Sequence, residues 1–592
     1  MSPDHEALTE RARSLGVETS YWDVSGTLHH APAETLTALV DILEADRRGD
    51  PTQLPAVVVA DGSAVPIGVL GGVELVVDDG TVIALAGHDG TVVLPDDLPI
   101  GCHLLRGGIG DDVEEATVVV APPRMPRDRR LDDPVGGVFV PAYALWDTDD
   151  PDPSYRHLHA LASRLAGHHL AVVCTLPLYA TFLDEPFDPS PYSPISRLHW
   201  SEAYLDLPGR VTADATPLVD WRAVARRRRL ELLSLAADLD GPTGAALDDF
   251  VRARRDIADF ARFQTARASV CDSGHRRTTV ERSYQLGQLL AHRQLGSIEA
   301  DTTTILALDL PIGTHPDGFE THAHPELFAD TMSVGAPPDA FFTDGQNWGF
   351  SPPLPGAGRR SGHRLWRQMI ERAGEHASIL RIDHVMGVQR LWWIPEDRPT
   401  GEGAYVRYPR EELLAVIAAA ATRSRTTVVG EDLGTISDEV REALDRWGTI
   451  GLYEEQFHLA ERPLPRPGRD RVAGLRTHDM SPFAALRTET PEQLDAYRCQ
   501  LGVELGHDVS DDGLVDAALE RLAATDSVVV LADLDDLLEE STPHNVPGRV
   551  LPTIWRRRLP KPTAEVLTEP AVARRLAVVA GRARDDHRGE ET

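Results

Sequence analysis

Lysine is almost missing from this chain: Lys561 is the only one among 592 residues, and Arg carries nearly all of the positive charge. With 59 basic against 93 acidic residues the formal net charge is -34, which argues against nucleic acid or an anionic membrane as partner, because both are held through an excess of Lys and Arg. A neutral ligand suits such a surface better. The shortage of Lys beside abundant Arg and Ala reads as the codon bias of a GC-rich genome. No run of about 18 apolar residues occurs, so no membrane-spanning helix is expected. The opening MSPDHEALTERARSLG has neither the basic start nor the apolar stretch of a signal peptide. Cysteine is scarce too: Cys102, Cys174, Cys271 and Cys499 match neither a disulfide framework nor a zinc motif, and read as packing residues of a cytoplasmic protein. The one glycine cluster, GGIGDD at 107–112, lacks the strand-GxGxxG-helix context of a nucleotide loop and reads as a turn. No cofactor is implied.

What is present is ordinary globular composition, 42% hydrophobic and 26% charged, in a chain longer than the roughly 250 to 300 residues at which single cores stop growing. Residues 1–50 read as an N-terminal helical segment, with Leu36, Leu39, Val40 and Leu43 at helical spacing. Residues 51–124 read as a small β-sandwich-like domain of short β-rich runs, punctuated by Asp79-Gly80 and Asp89-Gly90 turns. The stretch 125–135, rich in proline and charge, reads as a linker. Eight apolar runs of buried-strand length then follow: GVFVPAYALW, HLAVVCTLP, TTILALDLP, SILRIDHV, TTVVGEDL, IGLYEEQF, VAGLRTHD and SVVVLADL. Helical patterns separate several of them. The spacing predicts an α/β fold, a (β/α)8 TIM barrel over 136–575, with inserted subdomains at about 179–301 and 312–376. A polar tail, 576–592, closes the chain.

Three acidic residues stand at the carboxyl ends of such runs: Asp383 in ILRIDHV, Glu431 in TTVVGEDLG and Asp479 in GLRTHDM. The carboxyl end is the active-site face of a β/α barrel. A charge at a buried strand end is costly unless paired or used. Pairing is available: Arg381 shares a strand face with Asp383, and His478 adjoins Asp479. Three carboxylates without a thiol nucleophile, metal motif or phosphate loop fit glycosidic bond cleavage, in which a retaining enzyme pairs a carboxylate nucleophile with a carboxylic acid. Asp383, short and oriented by Arg381, suits the nucleophile; Glu431 suits the acid, since burial beside other carboxylates raises its pKa further. A third anion can hold sugar hydroxyls. Trp348, Trp392, Trp393 and Tyr192 are candidate stacking surfaces for sugar rings, with core packing the alternative for each. His322 and His324 are spaced as a zinc pair would be, yet no third ligand accompanies them, so no metal is expected.

At RIDHVMG, RLWWIP, GAYVRYP, VVGEDLG and THD the sequence resembles the 4-α-glucanotransferases called amylomaltases or disproportionating enzymes, glycoside hydrolase family 77 of the α-amylase clan. SPYSPISRLHWSEAYLD, DLPIG, VGAPPDAFFTDGQNWG and HNVPGRVLPTIWRRRLP extend the resemblance in the same order. It implies Asp383 as nucleophile, Glu431 as acid/base and Asp479 as transition-state stabiliser, with Tyr192, Asp309, Arg381 and His478 near the cleavage point and maltooligosaccharides as substrates. It departs from the family after the first strand, where YALWDTDDPDPSYRHL replaces a glycine-rich stretch, and at Met480 after THD. An α-glucan hydrolase using the same site and a catalytically silent glucan-binding protein are the alternatives.

Overall fold

Eight short parallel strands form the centre of the molecule: β1 (Val135–Phe139), β2 (Val172–Cys174), β3 (Ile305–Leu310), β4 (Ile379–Ile382), β5 (Thr427–Gly430), β6 (Gly451–Glu454), β7 (Arg471–Gly474) and β8 (Val529–Asp533). Each falls on one of the eight apolar runs. This computed structural model describes residues 3–581 except 24–25, 48–56, 60–63, 67–72, 89–90, 110–111, 210–215, 268–273, 340–341, 435 and 550. Cys271, the Asp89-Gly90 turn, the centre of the GGIGDD turn and the tail beyond 581 therefore lie outside the described residues. Hydrogen bonding runs in the order β5-β4-β3-β2-β1-β8-β7-β6. The remaining seam, β5 against β6, is nearly closed by a single parallel bridge between Val429 and Ile450. Asp432 reinforces it with a side chain: one oxygen accepts the Leu452 N–H at 2.7 Å and the other accepts from Arg471 Nη1 at 2.7 Å.

Side chains along a strand alternate between the two faces, and the barrel uses this to sort apolar from charged residues. Ile305, Ala307, Ile379, Val429, Val172 and Cys174 fill the amino-terminal half of the interior, closed below by Leu131. Continuing each interior series by two residues toward the carboxyl end reaches Asp309, Arg381, then Asp383, and Glu431. The intervening residues, Leu306, Leu308, Leu380, Ile382 and Val428, face outward into the layer beneath the helices. One of those helices, Arg410–Ser424, is buried continuously from Leu413 to Ala421. Apolar residues all round a helix mean that it is covered all round: Ala415, Val416 and Ala419 also meet Val57 and Val119 of the N-terminal β domain. In that domain a five-stranded sheet and a three-stranded sheet share a core of Val73, Leu75, Val92, Leu105 and Val118.

Residues 1–50 differ from their reading as a separate helical segment. Val17–Glu18 pairs with Tyr405–Val406 as the edge of a five-stranded sheet whose other members are Arg390–Pro395, Met332–Ala336 and Gln346–Asn347. Leu36, Leu39 and Leu43 cover that sheet through Met332, Val334, Trp393 and Val406. The two share one buried core. Met332–Ala336 and Gln346–Asn347 of this sheet fall inside the insertion placed at 312–376, and the segment between β4 and the helix Arg410–Ser424 supplies two more strands. Met125 and Leu131, in the supposed linker, are buried. The polar tail begins after 580 rather than at 576: the helix Pro570–Ala580 buries Leu576 and Val579. Cys499 is exposed rather than packed, whereas Cys174 is buried. Among the described residues no helix is long and apolar enough to cross a membrane.

Candidate active site

The charged ends of β3, β4 and β5 meet in one place. Arg381 Nη1 donates to both oxygens of Asp309, at 2.8 and 2.7 Å, and lies 3.1 Å from Asp383 Oδ1. Glu431 sits on the adjoining strand end, where its own N–H donates to the Ile382 carbonyl at 2.9 Å. The amide directly after Asp383, that of His384, donates to Glu431 Oε2 at 2.9 Å, and the Leu433 amide donates to Oε1 at 3.0 Å. His384 reaches that position with φ of 44°, a left-handed conformation unusual for a non-glycine residue and of the kind that accumulates at functional sites. Tyr192 donates its hydroxyl to Asp309 Oδ2 at 2.6 Å and stacks on His478 with centroids 4.8 Å apart and planes 6° from parallel. Asp479, the most exposed of the acids with 45% of its side chain accessible, lies 3.3 Å from His478 Nε2 and accepts from Asn545 Nδ2 at 2.6 Å.

Burial sets the electrostatics. It pushes Asp383 well above the ordinary carboxylate range, opposed by Arg381 and reinforced by Asp309, Glu431 and Asp479. Burial also raises Glu431, with Arg381 and the two amide donors pulling the other way. Burial lowers His478, leaving a neutral imidazole beside Asp479, and it raises the Tyr192 hydroxyl so that it stays a donor.

The aromatic candidates separate. Trp348 is half-buried and stands edge-on to His384 at 5.0 Å, within the site. Trp392 is corrected: at 1% exposure it has no face to offer a sugar. It packs edge-to-face against Tyr21 and Tyr405 and donates its indole N–H to the Thr400 carbonyl at 3.0 Å. Trp393 is equally enclosed. An apolar strand covered by the N-terminal segment has both faces buried, which a pair of adjacent Trp residues cannot reveal in sequence. Three neighbours of the acids, His384, Asn545 and Trp555, were not singled out from sequence. Trp555 lies 5.9 Å from Tyr192 and 6.1 Å from His478. Both it and Asn545 belong to the HNVPGRVLPTIW stretch, whose resemblance to the family was the available signal.

The segment that replaces the glycine-rich loop after β1 is tied down by the C-terminal stretch. Trp146 donates its indole N–H to Leu559 at 2.9 Å, and Arg156 and Arg227 pair with Asp147 and Asp152. In DLPIG, a Cβ on Gly313 would run into the Phe350 ring. His322 and His324 gather no third ligand among the described residues; the first lies against Phe263 and the second 3.7 Å from Glu326.

The family profile described as 4-alpha-glucanotransferase matches residues 154–281 and 265–564. The 4-alpha-glucanotransferase of Mycobacterium tuberculosis (strain H37Rv) is 30% identical over 583 residues, covering 81% of this chain and 80% of that one. In fold, the chain is similar to the amylomaltase from Corynebacterium glutamicum, with a TM-score of 0.85 at 24% identity over 98% of this chain and 100% of that chain. It is also similar to the amylomaltase from Streptococcus agalactiae solved in complex with acarbose, with a TM-score of 0.66 at 21% identity over 76% and 99%. The chain belongs to the 4-alpha-glucanotransferases of glycoside hydrolase family 77, retaining transglycosylases that act on α-1,4-glucans.

Proposed function

We propose that Asp383 is the nucleophile, Glu431 the general acid and base, and Asp479 the stabiliser of the distorted sugar, in transfer of α-1,4-glucan segments between maltooligosaccharides. The observation that carries this reading is the pair of carboxyls on adjoining strand ends, with a guanidinium against Asp383 and the next amide against Glu431. A cation 3.1 Å from Asp383 favours the anion there, and in this reading Glu431, raised by burial, carries the transferable proton.

In the first step an Asp383 oxygen attacks the anomeric carbon, the glycosidic C–O bond breaks, and the departing oxygen takes the Glu431 proton. A covalent glycosyl-Asp383 ester and an ionised Glu431 result. In the second step the 4-hydroxyl of an acceptor sugar gives its proton to Glu431 and attacks the same carbon, which frees the Asp383 carboxylate. Two inversions retain the α configuration. Asp479, fixed by Asn545 and beside neutral His478, is placed to accept from sugar hydroxyls. Trp348 offers a ring face at the rim.

Incubation with maltotriose tests the reading. The wild type should give glucose and a ladder of longer maltooligosaccharides, while Asp383→Asn and Glu431→Gln should each lose roughly 100-fold or more in rate. A ladder formed at wild-type rate by Asp383→Asn would show that the nucleophile lies elsewhere.

A further inference from the structure

A second group of convergent donors lies on the outer wall of the barrel. His292 projects from the helix Arg277–Asp301, and Glu375 and His376 follow the helix Arg364–Gly374, shortly before β4. His292 Nδ1 is 3.1 Å from His376 Nε2 and 3.5 Å from a Glu375 carboxylate oxygen. One donor atom from each of the three falls within 4.8 Å of the others. Ligand atoms around a tetrahedral zinc, with bonds of about 2.0 to 2.1 Å, lie roughly 3.3 Å from one another. The two measured edges bracket that separation.

The frame around the group is built. His376 is 4% exposed and stands edge-on to Trp200 at 5.4 Å; its own N–H is bonded back to Ala373, and that of Glu375 to Glu371. Phe250 backs His292 at 5.3 Å. His292 Nδ1 and His376 Nε2 are hydrogen-bonded to each other, so a bound ion would replace that one proton between them. On the solvent side about a third of the His292 and Glu375 side chains is accessible, leaving a way in and room for water as the fourth ligand. Arg372 and Arg293 lie near the imidazoles, and the cation in direct contact is Arg254, whose Nη2 is 2.7 Å from the Glu375 oxygen that faces His292. Its side chain is 22% accessible and is otherwise held by the Phe250 ring, 4.8 Å away, so it can swing outward.

We propose that His292, Glu375 and His376 form a binding site for a first-row transition ion, zinc foremost, with Arg254 as the competing cation. Two nitrogens and one carboxylate suit zinc, copper or nickel better than magnesium or calcium. A bound ion would clamp the helix Arg277–Asp301 to the start of β4, the strand that ends in Arg381 and Asp383. Spacing could not reveal the site, because its histidines are separated by 84 positions.

The untagged full chain, titrated with zinc against a chromophoric chelator, tests this. One equivalent should bind the wild type, His292→Ala should bind at least tenfold more weakly, and Arg254→Gln should bind more tightly. Cobalt(II) should give the visible absorption bands of a four-coordinate ion in the wild type and not in His292→Ala. Absence of stoichiometric binding, or equal binding by wild type and His292→Ala, overturns the proposal. An Arg254→Gln variant that binds zinc no more tightly removes Arg254 as the competitor.

Discussion

Arg381→Met removes the guanidinium that contacts Asp309 and Asp383 and leaves a side chain of comparable length. At 3.1 Å from Asp383, and with an effective dielectric constant of about 20, the lost attraction is about 5 kcal/mol. Asp383 is already raised by burial and by Asp309, Glu431 and Asp479, so loss of the cation shifts it further toward the protonated form. The sign follows directly. Only the ionised carboxylate attacks, so the active fraction shrinks tenfold for each unit by which the pKa exceeds the assay pH. The expected loss in kcat/KM at pH 7 is therefore about 1,000-fold or more, with activity rising about tenfold per pH unit across the range where the wild type is flat. Arg381→Lys, which keeps a charge, should recover part of the rate and restore part of the flat region. Circular dichroism and a melting curve accompany the kinetics, because Asp309 loses both of its Arg381 bonds and breaking a buried pair costs about 3 to 5 kcal/mol. A folded Arg381→Met enzyme with less than a tenfold loss and an unchanged pH profile would refute the assignment of Arg381 as the group that keeps Asp383 ionised.

The two Trp residues first read as sugar platforms should respond oppositely. Trp392→Ala empties a site with 1% exposure and should destabilise the fold by about 3 to 5 kcal/mol in denaturant titrations, whereas Trp348→Ala, half-buried beside His384, should leave stability nearly unchanged and raise KM for maltooligosaccharides. Burial holds His157 and His376 at about 3 and His384 at about 4, so each takes up a proton on unfolding below about pH 6.5 and removes about 1.4 kcal/mol per pH unit until its folded pKa is reached. Glu454 and Asp533, raised by burial to about 8, act in the opposite sense over the same range. The stability of His157→Asn relative to the wild type should therefore rise as pH falls from about 6.5 to about 5 in urea titrations; a constant difference would contradict this.

Why the barrel was legible and the wall beside it was not follows from where each strand finds its partners. Strands such as Ile305–Leu310 and Ile379–Ile382 are covered on one side by barrel interior and on the other by helices, and a strand buried on both faces must be an unbroken apolar run. A polar residue at the end of such a run stands out, which is how Arg381, Asp383 and Glu431 could be read from sequence, whereas Asp309 came from the family resemblance. The segment Arg390–Pro395 is apolar for a different reason: it pairs antiparallel with Met332–Ala336 and Ala404–Arg407, and its cover is the helix Ala33–Arg47, more than 340 positions away in the chain. Periodicity reports that a residue is buried and says nothing of what buries it, so Trp392 looked equally suited to a sugar and to Tyr21. The same limit hid His384 and Asn545, which act through a main-chain angle and a single side-chain bond, neither of which leaves a pattern in spacing.

Asp432 shows the complementary case, in which a residue adjacent to a catalytic candidate does purely architectural work. Sequence pairs it with Glu431 as a second acid at the strand end, but one bond to the Leu452 amide and one to Arg471 turn it away from Glu431 toward the seam where β5 and β6 share one bridge. Adjacent residues on a strand point to opposite faces, so one of two neighbouring acids must leave the interior whenever the other enters it. Glu431 can approach Asp383 because Asp432 points the other way, and the barrel gains a closure at the seam where main-chain pairing is thinnest.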